Sequence, residues 1–184
     1  LAFLTMYGLE TLNKSLRTVD EIRQRFNLPI LGVIPLLGRK RLRFFYDRTA
    51  QSATPQRYLV DFPTHQISDA YRLLQNNLKS LDVSKLCKVL TVTSILPQEG
   101  KSTVAVNLAI ALSQDGHSTL LIEADFQDPI QEYIWSQSSE VGLSNVLATH
   151  VSWRDAIQQT LPNLHVMLAG NQEHQVIPGV DSMG

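Results

Sequence analysis

A single cysteine, Cys87, rules out an internal disulfide framework in a chain of 184 residues. Its place just ahead of an apolar run reads as a core thiol rather than a reactive one. Charge of either sign is scarce: Asp, Glu, Lys and Arg make up 18% of residues and sum to −1. That balance argues against a general nucleic-acid binder, and no nucleic-acid partner is expected. The five histidines (His65, His117, His150, His165, His174) lack metal-ligand spacing and read as surface or loop residues. No serine, cysteine or histidine triad is apparent, so a hydrolase is set aside. What remains is enough chain for one α/β domain with a proper core.

The stretch 88–125 organises that domain. Val89, Leu90 and Val92, with threonines interleaved, read as a buried strand. Pro97, Gln98, Glu99 and Gly100 break the pattern, and Lys101, Ser102 and Thr103 open a helix. A strand, a tight turn and a helix beginning at Gly-Lys-Ser form a phosphate-binding loop, because the unpaired N–H groups of a helix start converge on an anion. Lys101 adds a full positive charge for the phosphates, and the Ser102 hydroxyl is placed to ligate Mg²⁺. The standard spacing asks for a glycine five residues before Gly100, where Ile95 stands. An ordinary βα turn with a surface lysine is the alternative. The helix 102–114 places Val104, Leu108, Ala111 and Leu112 at helical spacing, with Ala105 and Ala109 allowing close approach to a sheet. Gly116 stops it. Leu120, Leu121 and Ile122 then read as a second buried strand, ending in Glu123 and Asp125, where a Mg²⁺–nucleotide site wants its carboxylates.

The string LPQEGKSTVAVNLAIALSQDGHSTLLIEADFQDP resembles the Walker A and Walker A′ region of bacterial tyrosine kinases, the cytoplasmic domains of polysaccharide co-polymerases for capsule and exopolysaccharide export. Pro97, Gly100, Lys101, Ser102, Thr103, Asp125 and Pro129 match the family pattern. Gln98 replaces a glycine, Glu123 an aspartate and Gln127 an arginine. The resemblance implies an α/β fold, a P-loop NTPase-like parallel sheet with flanking helices, preceded by a juxtamembrane segment. It implies ATP and Mg²⁺ as cofactors. Residues 97–103 would hold the nucleotide, Lys101, Asp125 and Glu123 would serve catalysis, and Ser102, Asp125 and Glu123 would hold the metal.

Three sections follow along the chain: 1–17 as the end of a transmembrane helix, 18–66 as a capped helix, short strand and linker, and 67–184 as the incomplete nucleotide-binding domain. The N-terminal apolar run, LAFLTMYGLETL, is about half the ~20 residues that span a bilayer. Lys14 and Arg17 follow it, opposite to a secretory signal and in keeping with the cytoplasmic end of a membrane span; an amphipathic core helix is the alternative. Thr18 with Glu21 forms a capping box supported by Asp20, and Val19, Ile22 and Phe26 make one apolar face. Pro29 ends that helix, and 30–34 reads as a short strand. Arg39, Lys40, Arg41, Arg43 and Arg48 form either a basic patch for anionic lipid or a solvated linker. From 49 to 65 the chain reads as linker.

The span 67–81 is helical by periodicity, with Ile67, Ala70, Tyr71, Leu74, Leu78 and Leu81 on one face. Asp69 and Arg72 within it resemble the family's Glu-x-x-Arg motif, which there holds subunits in a ring; a plain intrahelical ion pair is the alternative. Further on, Ser152 with Asp155 reads as the cap of a helix bearing Trp153, Ala156 and Ile157, and 164–170 as a parallel strand. Past Gly170 the likeness ends before any Walker B aspartate or tyrosine cluster, so the chain reads as truncated at its C-terminus.

The function implied is an ATP-dependent protein-tyrosine kinase domain at the cytoplasmic face of the bacterial inner membrane, a homo-oligomeric ring working with the polysaccharide export machinery. A co-polymerase adaptor with weakened or dead chemistry is the second reading. A partitioning or septum-site ATPase is the third, and those carry a signature lysine where this chain has Leu96.

Overall fold

The computed structural model describes residues 22, 23, 25, 28–35, 57–81, 88–138, 140–148 and 151–171. The N-terminal run 1–17, the Thr18–Glu21 capping box, the basic stretch 39–48, Cys87, His150, His174 and everything past 171 lie outside the described residues. The elements run α1 (Tyr58–Asp61), α2 (Gln66–Ser80), α3 (Lys101–Gln114), β1 (Thr119–Ile122), α4 (Gln131–Trp135), α5 (Leu143–Leu147), β2 (Ile157–Leu161) and β3 (Leu164–Met167). Among the described residues no helix is long and apolar enough to cross a membrane.

Helix α2 begins where His65 Nδ1 accepts the Ile67 N–H at 3.2 Å. It buries Ile67, Ser68, Tyr71 and Gln75, while Ala70, Leu74 and Leu78 of the expected face are half-buried and Leu81 is exposed, so the buried face is turned toward Ser68 and Gln75. Helix α3 is apolar on almost every side and buries Val106 to Ala111, because α1 and α2 join it in one core with Leu164, Val166 and Leu168. The Tyr58 and Tyr71 rings stack there at 6.2 Å, and burial pushes both phenols above their ordinary range. At the far end, Lys79 of α2 pairs with Asp115, which caps α3 and also meets His117 at 3.2 Å.

Helix α1 falls inside the expected linker 49–65. It forms because its apolar side chains and its backbone both find partners. Tyr58 and Leu59 are buried. The Leu59 N–H donates to Asn107 Oδ1 at 3.2 Å, and Ser68 Oγ donates to the carbonyls of Tyr58 and Phe62 at 2.9 and 2.6 Å.

The sheet has the order β1-β3-β2. β1 runs parallel to β3, pairing Thr119 with Leu164 through to Ile122 with Met167. β2 pairs antiparallel to β3, with a register shift between Gln159 and Leu161. The sheet is therefore mixed rather than parallel, and the expected helix after Ser152 is absent. Ser152 instead accepts the Asp155 N–H at 3.0 Å in a tight turn. The chain then enters β2, and Pro162-Asn163, with Asn163 at φ 61, folds it back into β3. Pro-Asn is a turn signal, and pairing with the buried β3 outweighs the local capping pattern. Beyond β3, Gly142 packs so closely on its end that an added Cβ would lie 2.3 Å from Gly170 N. That approach lets the N–H groups of Leu143 and Ser144 reach the carbonyls of Leu168 and Ala169 at 2.8 and 2.9 Å.

Two other expected strands do not form. Residues 88–94 join none of the three strands, and Val89 is 78% exposed. Residues 30–34 pack beside α2 instead of pairing, with the Leu31 carbonyl taken by Asn77 Nδ2 at 2.7 Å. Strand β1, expected to be buried, is half-buried at Thr119 and Leu121 on one face and exposed on the other, with Leu120 and Ile122 41% and 47% exposed.

Candidate functional site

The site stands where the start of α3 meets the end of β1. Gly100 is the N-cap of α3 at φ 92, a left-handed conformation that glycine adopts without a Cβ penalty. Its carbonyl accepts the Val104 N–H at 2.9 Å, closing the first turn. Ser102 and Thr103 follow in that turn, both half-buried, while Pro97 and Glu99 lie exposed in the loop. Gln98 holds φ 63, so its backbone does occupy the conformation that the family glycine serves. A side chain there costs about 1–2 kcal/mol.

Lys101 reaches across to β1. Its Nζ lies 2.7 Å from Asp125 Oδ2, with both side chains partly exposed. The hydrogen bond to Asp125 raises the Lys101 pKa above its ordinary value. The same bond holds the Asp125 carboxyl below the ordinary carboxylate range, with burial opposing and the Asp128 and Gln127 N–H groups assisting. Those two N–H groups both lie 3.2 Å from Asp125 Oδ1, so the chain after β1 turns sharply around this carboxylate.

Glu123 is used differently. It is 5% exposed, and its carboxylate accepts the N–H of Ile130 at 2.8 Å and of Gln131 at 3.1 and 3.3 Å. Burial raises its pKa, offset in part by those N–H groups. The longer glutamate side chain thus pins the start of α4, where Gln131 Oε1 in turn accepts from the Trp135 indole at 3.0 Å. Lys101 and Asp125 share one corner, with Ser102 next to Lys101 in the first turn of α3, whereas the Glu123 oxygens are spent on α4. Asp69 and Arg72 are on α2, paired with each other at 3.0 Å, and Arg72 also donates to the Pro63 carbonyl at 2.9 Å.

One residue of this region escaped the sequence reading. Asn107, fully buried, donates from Nδ2 to the Thr103 carbonyl at 2.9 Å and accepts from Leu59. It thereby ties the first turn of α3 to α1. An amide in the middle of an otherwise apolar helix was the available signal.

The chemistry of this corner suits a phosphorylated nucleotide with a divalent ion. Among the described residues no three His, Cys, Asp or Glu side chains cluster as a metal site. An ion here would rest on the Ser102 hydroxyl, Asp125 and phosphate oxygens, which is how Mg²⁺ is usually held. No side chain fills the space over Gly100, where an added Cβ would meet nothing within 4 Å.

Comparison with known proteins agrees with this geometry. Residues 90–178 match the CobQ/CobB/MinD/ParA nucleotide binding domain. CapB of Staphylococcus aureus, named as a tyrosine-protein kinase, is 33% identical over 114 residues, 61% of this chain and 50% of CapB. The succinoglycan biosynthesis transport protein ExoP of Rhizobium meliloti is 27% identical over 184 residues, 91% of this chain and 23% of ExoP. The chain thus spans half or less of these two relatives. The BceF tyrosine kinase domain superposes with a TM-score of 0.73 at 25% identity, covering 86% of this chain and 64% of that one. Residues 90–178 thus match the CobQ/CobB/MinD/ParA nucleotide binding domain, and the proteins similar to this chain in sequence and fold include bacterial tyrosine kinases.

Proposed function

We propose that this chain is the ATP-binding part of a membrane-associated bacterial tyrosine kinase that regulates capsular or exopolysaccharide polymerisation and export. The observation that carries the reading is the αL glycine opening α3 at Lys101 and Ser102, with Lys101 bonded to Asp125. Lys101 would exchange its bond with Asp125 for the nucleotide phosphates, and Ser102 and Asp125 would hold the Mg²⁺. Bound Mg-ATP supplies a γ-phosphoryl group for a tyrosine oxygen; the loop N–H groups and Lys101 bind and orient it. Assembly into a ring through the Asp69–Arg72 helix, a position at the cytoplasmic face of the inner membrane and contact with the export machinery are parts of the same proposal. Names among the relatives, such as ExoP's transport role, support it.

The test is titration of Mg-ATP against the wild-type chain and Lys101→Met. Loss of the cation is expected to weaken binding by at least roughly tenfold. Equal affinities in two folded proteins would mean the loop is not a phosphate site.

A second reading, an adaptor that binds nucleotide but turns it over slowly, is favoured by Glu123. Its carboxylate is engaged by α4, whereas phosphoryl transfer needs the metal placed accurately. Phosphotyrosine formation by the full-length protein, with and without Glu123→Asp, separates the two. Vigorous phosphorylation by the unmodified protein would exclude the adaptor.

A further inference from the structure

We propose that Glu99 is a positioning residue for the phosphate loop: with Ser94 it clamps the limb 94–97 and takes over the shaping role of the glycine that position 95 lacks. This rests on the nucleotide-site reading above. One oxygen of Glu99, Oε2, accepts the N–H groups of both Ile95 and Leu96 at 3.1 Å. Ser94 Oγ donates to the Leu96 carbonyl at 3.0 Å. Both peptide groups of Leu96 are therefore fixed from within the loop, and Pro97 fixes the next φ.

The clamp has a reason to exist. In the standard spacing a glycine at 95 lets the backbone turn freely into the loop. Ile95 removes that freedom, and Gln98 adds a side chain in the left-handed region at φ 63. A residue held in such a conformation persists only where its surroundings over-determine it. The bridge from Glu99 back to residues 95 and 96 spans Gln98 and supplies that constraint. A carboxylate is suited to it because one oxygen accepts two N–H groups, and charge-assisted bonds are stronger than neutral ones. The arrangement also sets a negative charge beside the phosphate position, so the clamp and the charge act on nucleotide affinity with opposite signs.

Two substitutions in the full chain separate these effects. Glu99→Gln keeps a carbonyl acceptor and drops the charge; Glu99→Ala drops both. Amide exchange at Ile95 and Leu96 is read by NMR without nucleotide, and Mg-ATP affinity by titration, with Lys101→Met as the reference for a lost site. In Glu99→Ala, exchange at both amides is expected to rise roughly tenfold while α3 is unchanged. Affinity is expected to fall by about tenfold. Glu99→Gln is expected to retain the slow exchange and to bind as tightly as wild type or more tightly. Unchanged exchange in Glu99→Ala overturns the clamp, whatever the nucleotide does. Faster exchange at wild-type affinity, or tighter binding by both variants, overturns the positioning role. A wild-type chain that binds no better than Lys101→Met sinks the site reading and the positioning role with it, an outcome visible before either Glu99 variant is measured.

Discussion

The two ends of the first α3 turn are held by opposite means. On its loop side, Glu99 and Lys101 make bonds that are open to solvent: Glu99 to its own loop, Lys101 to Asp125. On its inner side, Asn107 and Ser68 knit α1, α2 and α3 through bonds that are largely buried. Exposed bonds exchange with water at small cost, while a buried group that loses its partner bears the full desolvation penalty. Under the proposed function the loop releases Lys101 to a ligand, and it is built from the first kind, on a base built from the second. The segment just after β1 repeats the division at two residues. Asp125 faces the loop in partial contact with water, whereas Glu123 is buried against α4.

The largest effect that would break this contrast is at Asn107. Asn107→Ala leaves the Leu59 N–H buried without its acceptor and is expected to cost about 2 kcal/mol in urea unfolding. A loss under about 0.5 kcal/mol, the scale of an ordinary surface change, would mean the junction is no firmer than the loop.

Gln98→Gly should act in the other direction and more weakly. Relief of about 1–2 kcal/mol at φ 63 is offset by the greater chain entropy of glycine, leaving a gain of roughly 0.5–1 kcal/mol. A destabilised variant would show that the Gln98 side chain makes a contact worth more than the strain.

The smallest effect, and the sharpest in sign, is pH dependence. Asp125 is held below the ordinary carboxylate range, chiefly by Lys101. Its contribution to stability is present above the unfolded value of about 3.9 and is lost as pH falls through the folded value. Glu123 is raised by burial, so its contribution is present below the unfolded value of about 4.3 and is lost as pH rises through the folded one. Urea midpoints between about pH 4 and 7 should show Glu123→Gln gaining on wild type as pH rises, with Asp125→Asn keeping a constant gap there. Parallel curves for the two variants would erase the distinction between the two carboxylates.

Much of this frame was legible in the residues. The helical span of α2 and the start of α3 at Gly100 follow from local pattern, and the apolar run at 164–170 marks the parallel strand β3. The split between Asp125 and Glu123 was not legible, since both satisfy the same Walker A′ spacing. Which carboxylate faces the loop depends on where residues 126–131 lead the chain. Likewise Ser152-x-x-Asp155 is a valid helix cap in isolation, and only the Pro162-Asn163 turn against β3 makes the following residues a strand.

Sequence by itself determined two elements whose hydrogen bonds close within a few residues: the helical span of α2 and the start of α3 at Gly100. Tertiary structure decided everything whose partner lies far along the chain, namely the antiparallel β2, the docking of α1 on Asn107 across 48 residues and the burial of Glu123. The physical reason is that a helix satisfies its own backbone, whereas a strand, a buried amide and a buried carboxylate are stable only when a distant segment supplies the missing donor or acceptor.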